Sequence, residues 1–267
     1  AFMGSAPRFT CSDWPELERV GKQRFEALHL LRVPHGAGKV SAPSVCQGQG
    51  PLHMPTAISG PSAIRDARWL QDATLARGVL RSFFENVKQS GQVPAALSML
   101  DTSNDHVHGD WGGAFEALDD IHPDRATKRA VLAGMQRYVK WLYNNRDPEG
   151  SGLTDVTNQF ESGQPLSRRF TIIDDKSDRA EELSEQFRIK AIDASVFRHR
   201  LVKFLIRVAD DMQEKAMANR FIAEEEVIKE TIRKQMWDEK SGIFVDLDPK
   251  APKSRRKTGV KSAAGFY

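Results

Sequence analysis

The sequence predicts an all-α protein made of paired helices, and three observations carry that prediction. Segments with apolar residues at helical spacing follow one another along most of the 267 residues. No alternation of strands and helices of the kind that builds a parallel sheet is visible. The connections are short on one side of the helix pairs and long and polar on the other, which favours a closed ring or an open solenoid with its function on one rim.

The first predicted helix begins at a cap candidate, Ser12, with Pro15 in its first turn and apolar residues at Leu17 and Val20. A loop rich in Gly, Pro and Ser is expected from residue 34 to about residue 61. The helices that follow are predicted over PSAIRDARWL, TLARGVLRSFFENVKQ, DWGGAFEALDDI, DRATKRAVLAGMQRYVKWLYNN, DASVFRHRLVKFLIRVADDMQEKAM and AEEEVIKETIRKQMW.

Two segments and the number of helices give further predictions. SGIFVDLD is expected to form a short strand or an extended turn. Only about seven helices can be counted, whereas a ring of six hairpins needs twelve, so the chain is expected to hold the first part of a larger ring. In the helix over 124–145, one apolar face is made of Val131, Met135, Tyr138, Val139 and Leu142.

Composition argues against several classes of protein. The 39 Lys and Arg residues nearly balance the 36 Asp and Glu residues, giving a net charge of +3, and nucleic-acid capture needs a more concentrated basic face. No apolar run approaches the roughly 20 residues of a membrane-spanning helix, and no secretory signal is visible at the start. We therefore expect a soluble, cytoplasmic protein without a nucleic-acid or membrane partner.

Two smaller features have ordinary interpretations. The basic run over 249–261 holds six Lys and Arg residues and could be a phosphate-binding or targeting patch. No aromatic residue interleaves these charges, so a solvated loop is preferred. Cys11 and Cys46 could pair, but two cysteines do not make a disulfide framework, and we expect ordinary thiols.

Four polar stretches at helix ends or in loops carry the candidate chemistry: ISGPSAIRDARWL, NDHVHGDWGGAFE, RDPEGSGLTDVTNQFESGQPLSRRF and FRIKAIDASVF. Each combines a carboxylate with an aromatic residue or a cation. Carbohydrate sites use this combination, because aromatic faces stack on the sugar ring while carboxylates, amides and guanidinium groups bond its hydroxyls. Cleavage of a glycosidic bond also needs two carboxyl groups, one to donate a proton and one to activate water or attack directly.

Simpler alternatives exist for these stretches. Asp66 has Arg65 and Arg68 nearby and could form a surface ion pair. His106 and His108 could suggest a metal, but two histidines at alternate positions in a loop, without further ligands, are a weak sign of one.

A calcium site is the alternative for DPEGSGLTD, which has oxygen ligands at alternate positions and Gly152 where a calcium loop needs its glycine. The twelfth position, where that loop needs a bidentate Glu, is Asn158. We therefore prefer a plain Gly-rich turn and expect neither a metal nor another cofactor.

Three motifs taken in order, DPEGSGL, the ESG of QFESGQPLSRRF and MWDEKSGIFVDLD, resemble the six-hairpin glycosidases, in particular the trehalases and the processing α-glucosidase-like hydrolases. The resemblance covers residues 55 to 248. It implies an (α/α)6 toroid that cleaves α-linked sugars with inversion and needs no metal for catalysis. Residues 1–54 would be an N-terminal helix and long loop, and residues 55–267 a partial toroid truncated at its C-terminus.

The resemblance also implies a set of site residues and a carbohydrate substrate. Glu161 and Asp110 would be catalytic, Trp69 or Trp111 would stack on the sugar, and Asp66 would bind hydroxyls. The other substrate-binding candidates are Arg68, Asn158, Gln159, Arg168, Arg169, Lys190 and Asp193.

One position departs from the family's pattern. The family's proton donor usually stands two residues after the Gly of the ESG motif, and here that position is Pro165. The family's catalytic base lies late in the barrel and is expected beyond Tyr267. Either Glu161 or Asp110 supplies the proton, or the activity is altered or lost. A non-catalytic carbohydrate-binding domain and a helical scaffold for protein partners are the alternative functions.

Overall fold

The computed structural model describes residues 12–30, 32–33, 35–36, 39–46, 55–70, 72–97, 106–164, 167–171 and 187–266. Within these residues lie eight α-helices and three antiparallel pairs of two-residue strands, which confirms the all-α prediction. The chain divides into a first compact unit, residues 1–104 and 113–135, and a second, residues 105–112 and 136–267.

The first unit is built around α3 (Thr74–Glu85), which packs on α2 (Gly60–Ala67) and on the second of two paired strands. Its core is made of fully buried side chains that include Ile64, Val79 and Phe83. The elements of this unit are α1 (Pro15–Leu30), β1 (Arg32–Val33), β2 (Ser44–Val45), α2, α3, residues 113–119 of α4 (Trp111–Asp119) and residues 125–135 of α5 (Arg125–Arg146).

A glycine sets how closely α5 approaches α3 in the first unit. A Cβ at Gly134 would lie 2.0 Å from the carbonyl oxygen of Phe84, a distance that no larger residue tolerates. On α1, by contrast, Leu17 and Val20 are 51% and 50% exposed, so the described residues leave this part of its apolar face uncovered.

The second unit is dominated by the hairpin of α7 (Ile192–Asp211) and α8 (Lys215–Thr231), whose facing sides are packed together. Its remaining elements are residues 136–146 of α5, β3 (Asp155–Val156), a 3₁₀ turn (Gln159–Glu161), α6 (Arg168–Thr171), β4 (Ile189–Lys190), a π-helical turn (Ile232–Met236), β5 (Trp237–Asp238), β6 (Ile243–Phe244) and two further 3₁₀ turns (Lys253–Arg255 and Ala263–Phe266).

The apolar face predicted for α5 is confirmed. Burial of each large apolar side chain contributes roughly 1.5–3 kcal/mol, so this face is a main reason that the 22-residue segment is helical. The exposed fractions are at most 3% for Val131, Met135, Tyr138, Val139 and Leu142.

The single long helix predicted through Met217 is wrong at its C-terminal end. The chain leaves α7 at Asp211, and Gln213 has a left-handed backbone with φ of 63°. The amide of Glu214 then donates to the carbonyl of Ala209 at 2.9 Å, which closes the helix end. Polar residues flank this turn on both sides, so the spacing of apolar residues does not reveal it.

SGIFVDLD, predicted to be a short strand or an extended turn, contains the strand β6. It pairs with β5, placing Trp237 opposite Phe244, and the two rings meet at a centroid distance of 5.0 Å. The basic run at 249–261 follows as a loop whose side chains are mostly exposed. Its backbone is held by hydrogen bonds, such as that from the Thr258 amide to the Asp246 carbonyl at 3.0 Å.

Two other sequence observations concern the described residues only in part. Cys46 is buried, whereas Cys11 lies outside the described residues. Among the helices of the described residues, none is long and apolar enough to cross a membrane.

Candidate active site

Two of the polar stretches meet in the second unit. The segment 106–110 precedes α4, and the segment 157–162 contains the 3₁₀ turn of the ESG motif. The amide of His108 donates to the carbonyl of Glu161 at 2.8 Å, which joins the two segments. Asn158 shapes the turn, because its Oδ1 accepts from the Phe160 amide at 2.8 Å as a helix cap does.

Glu161 lies at the centre of this junction and is 5% exposed. Its Oε1 accepts from Nη2 of Arg146 at 2.5 Å and from the Thr157 hydroxyl at 3.1 Å. Its Oε2 accepts from the Thr157 amide at 3.1 Å and lies 3.6 Å from Nε2 of His108. Both carboxylate oxygens are therefore held by donors.

The surroundings of Glu161 decide its charge. Burial alone would raise the pKa of Glu161, but the contact with His108 and the charges of His108 and Arg146 outweigh burial, and the net pKa is lowered. Glu161 is thus a carboxylate near neutral pH. A proton donor needs the opposite, a raised pKa, so this geometry argues against Glu161 as the donor that replaces the family's acid.

Two imidazoles lie beside Glu161. Nε2 of His106 is 3.4 Å from Nδ1 of His108, and both side chains are buried. The hydroxyl of Tyr138 lies 3.4 Å from the same Nε2 of His106, and the ring of Trp141 is 4.5 Å from the His106 ring. Among the described residues, no group of three His, Cys, Asp or Glu side chains is arranged to hold a metal ion.

Asp110, the second catalytic candidate, lies at the start of α4 and is 6% exposed. Nη1 of Arg200 donates to its Oδ2 at 2.6 Å. The residue after Trp111 makes this approach close: a Cβ at Gly112 would lie 2.2 Å from the backbone of Arg200 and Leu201, so glycine lets the start of α4 lie against α7.

Arg169 and Asp193 belong to a buried ionic cluster. Arg169 is fully buried and makes two bidentate contacts, one to Asp193 at 2.7 and 2.9 Å and one to Asp246 at 2.8 and 2.8 Å. Four of its five N–H bonds are used in these contacts. This is the arrangement of a structural clamp, and it leaves little with which Arg169 could bind a sugar.

Lys190 is also surrounded by carboxylates. Its Nζ lies 3.0 Å from Oε2 of Glu149, 3.0 Å from Oδ1 of Asp155 and 3.6 Å from Oδ1 of Asp147. Lys190 is 6% exposed, and these ion pairs occupy its ammonium group in this structure.

The DPEGSG turn is held by its own first residue. Asp147 accepts from the amides of Ser151 and Gly152 at 2.8 and 2.9 Å and from Nη1 of Arg198 at 2.9 Å. Gly152 has φ of +82°, which favours glycine. The charges of Lys190 and Arg198 lie beside the Asp147 carboxylate.

The structure distributes the other predicted residues between the two units. Gln159 is fully buried in the second unit, and Arg168 is exposed there. Trp111 is fully buried and presents no open face to a sugar ring. Pro165, the position of the family's acid, lies outside the described residues.

Three predicted residues lie in the first unit, at the end of α2. Trp69 is 45% exposed, and the guanidinium of Arg68 lies 4.7 Å above its ring. Nε2 of His122 donates to the Arg68 carbonyl at 2.9 Å, and Asp66 is half-buried. Of the two tryptophans expected to stack on a sugar, only Trp69 has an open face in this structure.

The first unit also contains a cavity of about 490 Å³, whose lining includes Thr74, Arg77, Arg81, Asp124 and Thr127. None of the predicted site residues lines it. Its polar groups include an Arg77–Asp124 pair with Nε 3.4 Å from Oδ2.

Four residues with central contacts were missing from the predicted set: Arg146, Arg200, Asp246 and, as a partner of a carboxylate, His108. Arg146 directly precedes the DPEGSG motif and Asp246 lies in the GIFVDLD motif, so the sequence holds a local signal for both. Arg200 lies within a helix full of basic residues, where nothing local distinguishes it.

Comparison with known proteins gives one family match. A family model described as the mannosylglycerate hydrolase MGH1-like glycoside hydrolase domain matches residues 55–267. No curated protein sequence matches the chain.

Solved structures share the fold. The GH63 mannosylglycerate hydrolase from Thermus thermophilus in complex with glucose is 19% identical, with a TM-score of 0.68 over 92% of this chain and 70% of that chain. The same hydrolase in complex with Tris is 16% identical, with a TM-score of 0.67 over 92% and 71%. A chain described as a sialidase is 12% identical, with a TM-score of 0.73 over 98% of this chain and 22% of that chain. This likeness assigns the toroid-type helical fold.

Proposed function

The chain belongs to the mannosylglycerate hydrolase MGH1-like glycoside hydrolase family, and on that basis we propose that it hydrolyses a small glycoside whose non-sugar part carries a carboxylate, as mannosylglycerate does. The general class, a glycoside hydrolase acting on carbohydrate, follows from the family. The substrate, the roles of individual residues and the route of the reaction are the content of the proposal.

One observation carries the proposal: the junction of the segments 106–110 and 157–162 through the His108 amide and the Glu161 carbonyl. This junction brings two stretches that each hold a buried carboxylate, Asp110 and Glu161, into one compact unit. Each carboxylate has an arginine partner, so the region can offer both acceptors and donors to sugar hydroxyls.

We assign different roles to the two carboxylates. Glu161, with its lowered pKa, would accept hydrogen bonds from sugar hydroxyls and stabilise positive charge that develops on the sugar ring. Asp110, after taking up a proton from solvent, would donate that proton to the leaving oxygen as the glycosidic bond breaks, and a water molecule would add to the sugar in place of the leaving group. This assignment requires substrate binding to draw Arg200 away from Asp110.

The position of Arg200 suits an exchange of Asp110 for a carboxylate on the substrate. Its side chain is 34% exposed, and only Nη1 is used in the contact with Asp110. A carboxylate on the substrate would offer a competing bidentate partner for the guanidinium. The family and an accessible arginine beside the acid candidate therefore both support the proposed substrate class.

The test is hydrolysis of a panel containing mannosylglycerate, glucosylglycerate and neutral α- and β-linked mannosides. We expect release of mannose from the carboxylated mannoside and a loss of at least about 100-fold in kcat for Asp110→Asn, the size of general acid catalysis. Glu226→Gln, at an exposed acid outside the site, is the matched control. Undiminished turnover by both Asp110→Asn and Glu161→Gln would refute the assigned roles.

A carbohydrate-binding domain without catalysis is the second candidate function. Pro165 at the position of the family's acid and the lowered pKa of Glu161 both favour it. Calorimetry separates the two functions. Binding of mannosylglycerate with no mannose released, and with equal affinity for Asp110→Asn, would favour binding alone.

A further inference from the structure

A line of buried polar side chains leads to Glu161. The hydroxyl of Tyr138 lies 3.4 Å from Nε2 of His106, which lies 3.4 Å from Nδ1 of His108. On the other side of its ring, His108 directs Nε2 towards Oε2 of Glu161 at 3.6 Å. The family match and the predicted site residues give no role to either histidine.

The His108–Glu161 contact is slightly longer than a hydrogen bond. Nε2 of His108 is buried and has no hydrogen-bond partner among the described residues, and the Glu161 oxygen lies just outside bonding distance. An unsatisfied buried nitrogen is unfavourable, whereas a hydrogen bond to a carboxylate is among the stronger contacts in proteins. The geometry therefore favours a shift of a few tenths of an ångström that closes this contact.

We propose that His108 is a positioning residue for Glu161: its Nε2 holds the carboxylate against Arg146, in the orientation that receives a sugar hydroxyl. The role of Glu161 in this statement rests on the proposed function. His106 supports the arrangement by fixing the ring of His108 through its Nδ1.

The charged and titratable groups around this pair come from three parts of the second unit. Arg146 and Tyr138 come from α5, His106 from the segment before α4, and Asp193 from α7. Burial raises the pKa of Tyr138, which therefore stays neutral. Asp193 has a lowered pKa despite its burial, chiefly through Arg169, so it stays a carboxylate whose charge interacts with that of His108.

The direction of the expected pH effect follows from the lowered pKa of Glu161. Because its folded-state pKa is lowered, the stabilisation it provides is present above its unfolded pKa and is lost as pH falls through the folded pKa. His108 is the first of the groups that lower this pKa against burial. Without His108, the loss must therefore begin at higher pH.

The experiment compares His108→Leu, which removes the donor, with His108→Gln, which keeps a neutral N–H but cannot carry charge. Two profiles are measured from about pH 4 to pH 8: kcat/KM for mannosylglycerate and the free energy of unfolding in urea. For His108→Leu we expect the acid limb of both profiles to move to higher pH and kcat/KM at pH 5 to fall roughly tenfold, as for a lost hydrogen bond to a charged group. His108→Gln should recover part of this loss.

A matched control exists in the same unit. Nε2 of His199 lies 2.6 Å from Oε1 of Glu225, a His–Glu pair outside the candidate site. His199→Gln should leave the acid limb of the kcat/KM profile in place. If it moves that limb as far as His108→Gln does, the effect is not specific to Glu161 and the proposal fails.

The outcomes separate this proposal from the proposed function. If wild-type protein hydrolyses nothing, the proposed function fails, while the unfolding profiles still decide whether His108 sets the charge of Glu161. If His108→Leu does not fold, His108→Gln is compared in the wild-type and Glu161→Gln backgrounds, where its acid-limb shift should appear in the first and vanish in the second. A shift of equal size in both backgrounds, or in neither, would overturn the inference.

Discussion

Nη2 of Arg146 lies 2.5 Å from Oε1 of Glu161. Arg146 is the last residue of α5, where a cation is favoured by the helix dipole, and its guanidinium also lies 4.7 Å above the ring of Trp141. The end of one helix thus presents a fixed positive charge to the acidic residue of the ESG motif. Together with His108, which lowers the pKa of Glu161 most, Arg146 keeps Glu161 a hydrogen-bond acceptor, and Asp110 is the remaining candidate for the proton donor.

The first prediction tests that contact. Arg146→Met leaves a buried carboxylate without the guanidinium that donates to its Oε1, and we expect a loss of about 3 kcal/mol in the free energy of unfolding at pH 7. The pKa of Glu161 rises in the variant, so the loss should shrink as pH falls and Glu161 takes up a proton. Urea unfolding at pH 7 and pH 5 measures both effects. Arg233→Met, at an exposed arginine paired with Glu230, is the control and should cost little.

The second prediction concerns the clamp of Arg169 on Asp193 and Asp246. Arg169→Met leaves two buried carboxylates facing each other, and we expect a loss of about 3–5 kcal/mol at pH 7. Both carboxyl groups then have raised pKa values in the folded state, so stability is lost as pH rises and the variant should be less impaired at pH 5. The neighbouring Arg168→Met, at an exposed side chain, is the control. Equal losses for the two variants would contradict the structural role of Arg169.

The third prediction concerns Glu224, a buried carboxyl group in the middle of α8. Burial raises the pKa of Glu224 despite the nearby Arg198 and Tyr143. Its stabilising contribution is present below its unfolded pKa and is lost as pH rises through the folded pKa. Glu224→Gln should therefore be more stable than wild type at pH 7–8, with the difference disappearing near pH 4. A thermal unfolding series across this range measures it, and a constant difference at all pH values would contradict the burial argument.

The fourth prediction concerns sugar stacking at Trp69. If this open indole face holds a sugar ring, Trp69→Ala should weaken binding of mannosylglycerate roughly fivefold, the effect of about 1 kcal/mol of aromatic contact. Stability should change little, because the side chain is 45% exposed. Calorimetric titration measures the affinity. Trp14→Ala, at a 65% exposed tryptophan just before α1, is the matched control, and an equal effect of both variants would exclude a role for Trp69 in sugar binding.

The fold class was predictable because it depends on periodicity, which is local. The buried face of α5 follows directly from apolar residues spaced three or four apart, and the strand β6 follows from the turn residues before it. The end of α7 was not predictable in this way. Gln213 adopts a left-handed conformation that non-glycine residues rarely take, so its residue type does not predict the turn.

The candidate site residues show more clearly what local sequence determines and what only tertiary packing determines. Local patterns in the sequence were enough to establish that the chain is helical, that it resembles the six-hairpin glycosidases, and that carboxylates and arginines gather in its loops. Which charged side chains form ion pairs with each other depends on tertiary packing. Arg169 and its neighbour Arg168 are the same residue type side by side, yet one is fully buried between Asp193 and Asp246 while the other is exposed. The partners of Arg169 lie 24 and 77 residues away along the chain, a separation that no local pattern records.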